Sequence, residues 1–388
     1  MDIGDVTGDT KATSKGGGKM PARFRTGDQD SFFGEYLYKI TAPQGHFLRH
    51  LRALVDWDKL TQDLIDLYKG GAEYGGVPYH PSVLFRMLLL AYLYKLTERQ
   101  VEPFVNDSLA ARFFLGLAAT EPAPDHSSLS VFRSRILEKK GTEAFEAMFQ
   151  DVVRLAMEKG IKFGRIQVVD ATHSIADVDT KKDKERQAGG SGPRDPDAAW
   201  GNKGQKKIRT TKGDTVDVSK TFYGYKTHAS ENGESEIVTS VAVTPGNKWD
   251  GHQLRQLLEK DQAVGVKAGV YAGDKGYDDG DNHEMLWSRG ISSALCLKEK
   301  RTTLYPEGLW ADTKASLDYQ EGLSQRYKIE QKNAESKRRH GLDRCHYLGL
   351  QKYTVQALVT FMAINLKRMV KLLLGISFRQ PALRGAGA

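Results

Sequence analysis

Residues 165–173 read RIQVVDATH and residues 269–274 read GVYAGD, so two apolar runs each deliver an aspartate. Runs of this kind are typical of buried strands. If the two strands are neighbours and parallel, their carboxyl ends bring Asp170 and Asp274 to one sheet edge, where ligands of open α/β sheets bind. A lone aspartate after a strand is usually a turn former or a helix cap. The functional interpretation therefore depends on the pair.

Two carboxylates held close together repel each other, and one of them keeps its proton unless a cation is present. Mg²⁺, for which Mn²⁺ can substitute, binds a few carboxylate oxygens and retains several waters. Sites with two such ions stabilise the attacking and leaving oxygens of a phosphoryl displacement, and they usually need a third acid. The pair Asp170 and Asp274 thus predicts a metal site with one ligand still to be found.

The best candidate for the third acid is Glu330, in the stretch QRYKIEQKNAESKRRHGL. Helical spacing places Arg326, Glu330, Ala334 and Lys337 on one face, so that cations able to hold phosphates bracket the carboxylate. Glu335 lies on another face and fits less well. The competing interpretation is a solvated helix face with weak ion pairs.

The composition favours a polyanionic partner. Lysine and arginine outnumber the acids by 57 to 49 in 388 residues, a formal net charge of +8, which indicates double-stranded DNA among other possibilities. The two cysteines, Cys296 and Cys345, lack metal-ligand spacing and predict neither a zinc site nor a disulfide. With no apolar run long enough for a membrane span and no signal peptide, we expect a cytoplasmic protein, associated with the nucleoid if its polyanionic partner is DNA.

The pattern along the chain divides it into a helical part and a mixed part. Helical periodicity with turn signals covers residues 47–160, and residues 161–374 alternate strands and helices as an α/β sheet of mixed direction does. Within the second part, a basic insert rich in glycine and proline at about 180–217 is expected to be disordered or to be ordered by a bound partner. Residues 1–46 are expected to form a disordered or extended tail, and residues 375–388 a flexible one.

Several blocks of the sequence together resemble one family. HPSVLFRMLLLAYLYKLTERQVEPFVNDSLAARFFLGL and PDHSSLSVFRSRI are followed, in the same order as in that family, by VVDATH, DPDAAWGNKG, YGYKTH, AGDKGYDD and HYLGLQKYTVQALVTFMAINLKRM. On these blocks the chain resembles bacterial insertion-sequence transposases of the DDE type that carry an N-terminal helical transposase domain. The resemblance covers about residues 47 to 374.

The resemblance implies an α/β catalytic domain of RNase H-like fold, a five-stranded mixed sheet flanked by helices, beside an all-α N-terminal domain that binds DNA. It implies that Asp170 lies in the middle of the first strand, that Asp274 follows the adjacent, parallel fourth strand, and that Glu330 lies on a later helix. The family's signature of tyrosine, arginine, glutamate and lysine matches at Arg326, Glu330 and Lys337. Its tyrosine position is occupied by Leu323.

The implied activity is Mg²⁺-dependent cleavage of DNA at transposon terminal inverted repeats, followed by joining of the 3′-hydroxyl ends to target DNA by a homodimer. Two alternatives remain open: a domesticated DNA-binding regulator, and an RNase H-like nuclease without strand transfer. The residues predicted to contact the DNA backbone are Arg326, Lys337 and Arg338 near the acids, and Lys203, Lys206, Lys207 and Arg209 in the insert.

Overall fold

The computed structural model describes residues 24–25, 32–68, 77–209, 215–300 and 307–378, and of residues 32, 205, 206, 208 and 216 it describes the backbone alone. Everything below concerns these residues. None of the helices found in these ranges is long and apolar enough to cross a membrane.

Eight helices make up the first half of the described chain. The central one begins at Pro81, whose fixed φ suits a first helical turn, and it is buried as far as Leu93 because apolar residues cover its whole circumference. The next helix begins with a capping box formed by Thr97 and Gln100. The helices are α1 (Phe32–Thr41), α2 (Phe47–Leu54), α3 (Trp57–Leu60), α4 (Pro81–Tyr94), α5 (Glu98–Asp107), α6 (Leu109–Leu115), α7 (His126–Lys140) and α8 (Glu143–Glu158).

Helix α1 corrects the prediction of an N-terminal tail over residues 1–46. Its Tyr38 is buried, and the Tyr38 hydroxyl donates a 2.6 Å hydrogen bond to the Leu117 carbonyl. Arg49 donates to the Tyr38 carbonyl at 3.1 Å, which holds the end of α1 against α2. Contacts distant in sequence thus order a segment whose local pattern was weak. Residues 1–23 and 26–31 of that predicted tail lie outside the described residues.

Six strands form one mixed sheet. They are β1 (Ile166–Ile175), β2 (Ala199–Arg209), β3 (Thr215–Asn232), β4 (Val238–Pro245), β5 (Val270–Gly273) and β6 (Ser292–Leu295). β3 lies antiparallel to β1, β2 and β4, whereas β1, β5 and β6 run parallel. Without β2, the strand order is β4-β3-β1-β5-β6, with β1 between β3 and β5. This is the arrangement of an RNase H-like sheet. The sixth strand corrects the expected number of five.

The additional strand and a short helix, α9 (Thr180–Ala188), occupy most of the predicted basic insert. The expectation of a segment that is disordered or ordered only by a partner is wrong for its described residues. Asp195 is fully buried and accepts hydrogen bonds from the Tyr225 hydroxyl at 2.7 and 2.8 Å and from the Gly349 backbone at 3.3 Å. These contacts hold the insert against the sheet from within the chain. Residues 210–214 lie outside the described part.

Helices cover both faces of the sheet. α10 (Leu254–Ala263) and α11 (Gly280–Ser288) pack on one face, and α12 (Leu309–Ala315), α13 (Leu317–His340) and α14 (Leu350–Leu374) belong to the other side. α14 packs against α8 and α4 as well as β4, so it joins the two halves of the molecule. Its Asn365 is fully buried, accepts from the Val238 N–H at 2.9 Å and donates to the Val238 carbonyl at 2.7 Å. α14 is therefore a core helix.

Candidate active site

The two aspartates meet where β5 ends beside the middle of β1. In the parallel register Val169 pairs with Gly273, so Asp170 and Asp274 are each the next residue along. β5 stops at Gly273, whereas β1 continues to Ile175 against β3, and Ile175 also forms a bridge with Arg344. The early end of β5 leaves an opening at the sheet, and the two carboxylate-bearing positions stand on its border.

A tight turn fixes the Asp274 carboxylate. Asp274 Oδ1 accepts a 2.8 Å hydrogen bond from the Gly276 N–H, and the Asp274 carbonyl accepts from the Tyr277 N–H at 3.1 Å. A Cβ at position 276 would lie 2.9 Å from Oδ1, so a residue other than glycine would displace the carboxylate. Asp274 is therefore a turn former, but its second oxygen, Oδ2, keeps no protein partner among the described residues.

Helix α13 carries the third acid over the same opening. The Asn333 amide donates a 2.9 Å hydrogen bond to Asp170 Oδ2, and Glu330 lies one helical turn before Asn333. Near the other end of the helix, Gly322 packs against Ala272 and Ala294 of the parallel strands, and a Cβ there would overlap the Ala294 methyl. The close approach of α13 to the sheet depends on this glycine.

Glu330 itself is exposed, and its carboxylate lies 3.5 Å from the Arg326 guanidinium. Among the described residues, only Glu102, Asp125 and His126 could hold a metal ion with three ligand atoms that all lie within 4.8 Å of one another. They belong to the helical half. Asp170, Asp274 and Glu330 do not form such a group, although the charges of Asp274 and Glu330 act on Asp170. Glu335 faces away from them, as predicted, and forms a 2.7 Å ion pair with Lys367.

The electrostatics of Asp170 reflect the acids around it. Burial, together with the negative charges of Asp274 and Glu330, raises the pKa of Asp170 to about 6. Hydrogen bonds from the Ala171 backbone and from Asn333 act in the opposite direction. The site thus disfavours the ionised carboxylate that it needs, and a bound cation would remove the penalty. Carboxylate oxygens are the ligands that Mg²⁺ and Mn²⁺ prefer, so the donor set fits the predicted metal.

Cations border the acids on the side of β2 and β3. Burial, together with the charge of Lys203, lowers the pKa of Lys337 to about 8, while Asp343 and Asp170 oppose this. Lys226 donates to an Asp250 carboxylate oxygen at 2.8 Å. His173 packs against the Phe222 ring with the ring centroids 4.8 Å apart. Burial and the charges of nearby lysines lower the pKa of His173 to about 3, so this imidazole is neutral. The lysines are Lys337, Lys203 and Lys226.

The other predicted DNA-contacting residues lie farther from the acids. Arg338 is exposed on a different face of α13 from Lys337. Lys207 and Arg209 lie on the outer part of the β2–β3 hairpin, where Arg209 pairs with Thr215. Thr215 precedes Gly224, the first β3 residue that pairs with β1, by nine residues or about 30 Å of strand. Lys206, the residue before Lys207 on β2, pairs with Val218, and its side chain is outside the described residues.

Two residues at the site have no counterpart in the sequence prediction. Asn333, which contacts Asp170, follows Glu330 by three positions and precedes Lys337 by four, so helical spacing alone could have placed it on the acid face. Lys226 lies in the block YGYKTH, where strand alternation sets it apart from buried Tyr225 and Thr227.

Comparison with known families agrees with this geometry. A family model described as Transposase domain (DUF772) matches residues 36–135, and one described as Transposase DDE domain matches residues 162–366, more than half of the chain. The chain belongs to the DDE transposase family. It is thereby an enzyme of the class that cuts and joins DNA, with an RNase H-like fold and, as the family implies, a dependence on divalent metal.

One curated relative of this transposase is 29% identical over 241 residues, which cover 58% of this chain and 72% of the relative. It is the transposase for insertion sequence element IS1106 of Neisseria meningitidis serogroup B. Among solved structures, a piggyBac transposase synaptic complex with hairpin DNA is 10% identical, covers 90% of this chain and 81% of its own, and has a TM-score of 0.37. A Mos1 transposase paired-end complex with the left transposon end, also 10% identical, covers 78% and 82% with a TM-score of 0.19. Structural likeness at this level carries no argument about this transposase.

Proposed function

We propose that this transposase cleaves a DNA phosphodiester at the end of an insertion sequence and joins the freed 3′-hydroxyl to target DNA in one site. Asp170, Asp274 and Glu330 would hold divalent cations, Mg²⁺ or in its place Mn²⁺. The observation that carries the proposal is the β1–β5 register, which sets the two aspartates side by side under the helix that bears Glu330. Bound cations would neutralise charge on the phosphate and lower the pKa of a water nucleophile.

The side chains around the acids position the substrate rather than react with it. Asn333 donates to Asp170 Oδ2, which orients the carboxylate. Lys337 and Arg326 would contact the phosphates beside the scissile bond, since each lies within a turn or two of Glu330 on the same face. Phosphoryl transfer depends mainly on positioning and charge neutralisation, so no nucleophilic side chain is required.

DNA would approach across the cationic border of the site. Lys203 couples electrostatically to Lys337, so β2 brings a cation of the insert to the acids. Lys207 and Arg209, with Lys206, would extend the backbone contacts outward along the hairpin, while the helical half contributes the remaining DNA contacts. Since two transposon ends must be brought together, we infer that a homodimer acts on DNA.

The test compares Asp274→Asn with Asp281→Asn, an exposed aspartate of α11. Asparagine keeps the hydrogen bond that Oδ1 accepts from Gly276, so the turn survives while the charge is lost. If several kcal/mol of transition-state stabilisation depend on this ligand, Mg²⁺-dependent nicking of a labelled end fragment falls by about 1,000-fold. The Asp281 variant should nick like the wild type.

The reaction products separate the two enzymatic interpretations. Strand transfer yields labelled end fragment covalently joined to target plasmid, whereas a nuclease yields nicked fragment alone. Nicking by the Asp274 variant at the wild-type rate would contradict the assignment of the acids. Nicking without joined product, under conditions where both DNAs are bound, would favour the nuclease.

A further inference from the structure

A second aspartate, Asp278, closes the far end of the turn that begins at Asp274. Its side chain is buried, and both of its oxygens are hydrogen-bonded. Oδ1 lies 2.9 Å from His283 Nε2, and Oδ2 accepts from the Lys298 backbone N–H at 2.7 Å. The Asp278 carbonyl accepts from the Lys298 ammonium at 2.8 Å. The proposed chemistry does not use this acid, although burying a carboxylate is costly unless its contacts compensate.

His283 of α11 connects this carboxylate to strand β6. Its Nδ1 lies 2.8 Å from the Ser293 hydroxyl oxygen. An ionised carboxylate only accepts hydrogen bonds, so Nε2 carries the proton and donates to Asp278. The imidazole packs against the rings of Trp287 and Trp310, with centroids 5.4 and 4.8 Å away, and these contacts fix the plane of the ring.

The order of the contacts, from Asp278 through His283 to Ser293, is that of a nucleophilic triad. The burial of the three side chains excludes that role. Their exposed fractions are 2%, 0% and 3%, so no substrate can reach the serine hydroxyl. What the three residues can do is hold the polypeptide around them in place.

Backbone hydrogen bonds connect Asp278 to the start of the turn. The Asp278 N–H donates to the Lys275 carbonyl at 3.4 Å, and the Tyr277 N–H donates to the Asp274 carbonyl at 3.1 Å. Inside the turn, the Gly276 N–H donates to Asp274 Oδ1 at 2.8 Å. A shift at Asp278 therefore changes the position of the Asp274 carboxylate.

Helix α11 holds the turn at a second point. Asn282, the residue before His283, donates to the Tyr277 carbonyl and to the Gly251 carbonyl, each at 3.0 Å. Two successive residues of the helix thus contact two successive residues of the turn. Of these contacts, only the one between His283 and Asp278 involves a carboxylate.

We propose that Asp278 and His283 are positioning residues of the metal site, which hold the turn that presents Asp274 to the divalent cation. The inference rests on the proposed function, in which Asp274 is a metal ligand. In this role neither side chain contacts the ion, and both act through Asp274. Loss of a residue that orients a metal ligand typically lowers metal affinity or activity by about 10–100-fold.

The experiment measures the rate of nicking of a labelled end fragment against Mg²⁺ concentration for Asp278→Asn. Asparagine has the same shape but only one oxygen, so it cannot accept from both His283 and Lys298. The half-saturating Mg²⁺ concentration should rise by about 10–100-fold, and saturating Mg²⁺ should restore most of the rate. The matched control is Asp279→Asn, which loses the same charge at a side chain that makes no capping hydrogen bond to α11. Its half-saturating Mg²⁺ concentration should equal that of the wild type.

A purely structural role gives a different result. A smaller folded fraction lowers the rate by the same factor at every Mg²⁺ concentration and leaves half-saturation unchanged, and that result for Asp278→Asn overturns the proposal. Should this variant not fold, Ser293→Ala decides, because it removes only the hydroxyl that contacts His283. Its control is Ser292→Ala, which loses a hydrogen bond to Asp318 instead. Half-saturation should rise by about 3-fold for Ser293→Ala alone, as expected for the loss of one neutral hydrogen bond, and equal values for the two serine variants overturn the proposal.

The outcomes separate this inference from the proposed function. Nicking by Asp274→Asn at the wild-type rate overturns both. An inactive Asp274→Asn together with unchanged half-saturation in Asp278→Asn overturns this inference alone.

Discussion

Replacement of Asp170 by asparagine should abolish activity and yet stabilise the metal-free protein at neutral pH. Burial raises the pKa of Asp170 from 3.8 to about 6, a difference of about two pH units, which corresponds to about 3 kcal/mol between the protonation states. The residue is partly exposed, and solvent screening reduces the expected gain in the free energy of unfolding to about 1–2 kcal/mol. Asn333 can still donate to the asparagine carbonyl oxygen, so the variant keeps its main contact.

The sign of the pH dependence follows from linkage. The folded chain binds this proton more tightly than the unfolded chain, so the ionised carboxylate destabilises the fold above pH 6, and the penalty disappears as the pH falls from 6 toward 4. Asp170→Asn removes the penalty. In EDTA, the thermal midpoint of the variant should exceed that of the wild type at pH 8, and the two should converge near pH 4. Asp281→Asn controls for the loss of one negative charge from a basic chain.

Added Mg²⁺ should reverse the order at pH 8, because the ion stabilises a protein that binds it in the folded state alone. The wild-type midpoint rises with Mg²⁺ concentration, and the midpoint of the variant changes much less. A variant that is less stable than the wild type in EDTA at pH 8, or a difference that does not depend on pH, would refute the reasoning that the ionised Asp170 carboxylate destabilises the metal-free protein.

Three further substitutions probe other parts of the structure. Gly276→Ala should reduce nicking by at least about 10-fold with little change in thermal midpoint, because the added Cβ displaces Asp274 Oδ1; equal losses of activity and of folded protein would contradict this. Glu231→Gln should raise the free energy of unfolding by up to about 3 kcal/mol at pH 8 but not at pH 5. Burial raises the pKa of this carboxyl to about 7, and neither of its oxygens has a hydrogen-bond partner among the described residues. A gain at both pH values would exclude the charge of Glu231 as its cause. Asn365→Ala should lower the free energy of unfolding by about 2–5 kcal/mol in urea denaturation, because it leaves the backbone N–H and carbonyl of Val238 in β4 buried without partners. Leu372→Ala, at an exposed position of the same helix, should lower it far less. Similar losses for the two variants would argue against the two hydrogen bonds as the cause.

The sequence predicted the sheet where local pattern and topology agree. Buried strands produce apolar runs, so the positions of β1 and β5 follow from IQVV and VYAG, and the parallel pairing of their ends follows from the RNase H-like resemblance. The apolar run alone would end β1 at Asp170, whereas the resemblance places Asp170 in the middle of the strand, and the structure agrees with the resemblance. The strand continues to Ile175 because β3 supplies a partner beyond the point where β5 stops.

The parts that the sequence did not predict depend on contacts between distant residues. β2 has no apolar alternation. It is held in place by its hydrogen bonds to β3 and by the nearby Asp195, which accepts a hydrogen bond from the Tyr225 hydroxyl. Helix α1 likewise depends on Tyr38 reaching Leu117. In the site, the family signature identified Glu330, but no local pattern reveals that Asn333 contacts Asp170, since the contact spans 163 residues.

The precision of the site depends on how α13 is held at both ends. Near its start, Gly322 lets the helix touch the parallel strands; at its end, buried His340 contacts the Tyr92 carbonyl of α4 at 2.9 Å through Nδ1. A carbonyl only accepts, so Nδ1 carries the proton and donates, and Nε2 accepts from Lys367, 2.9 Å away. Burial lowers the pKa of His340, which favours this neutral form. The N-terminal helical half thus fixes the helix that carries Glu330. On the proposed role of Glu330 as a metal ligand, the two halves form one catalytic unit, because misplacement of a catalytic group by 1 Å can cost about 100-fold in rate.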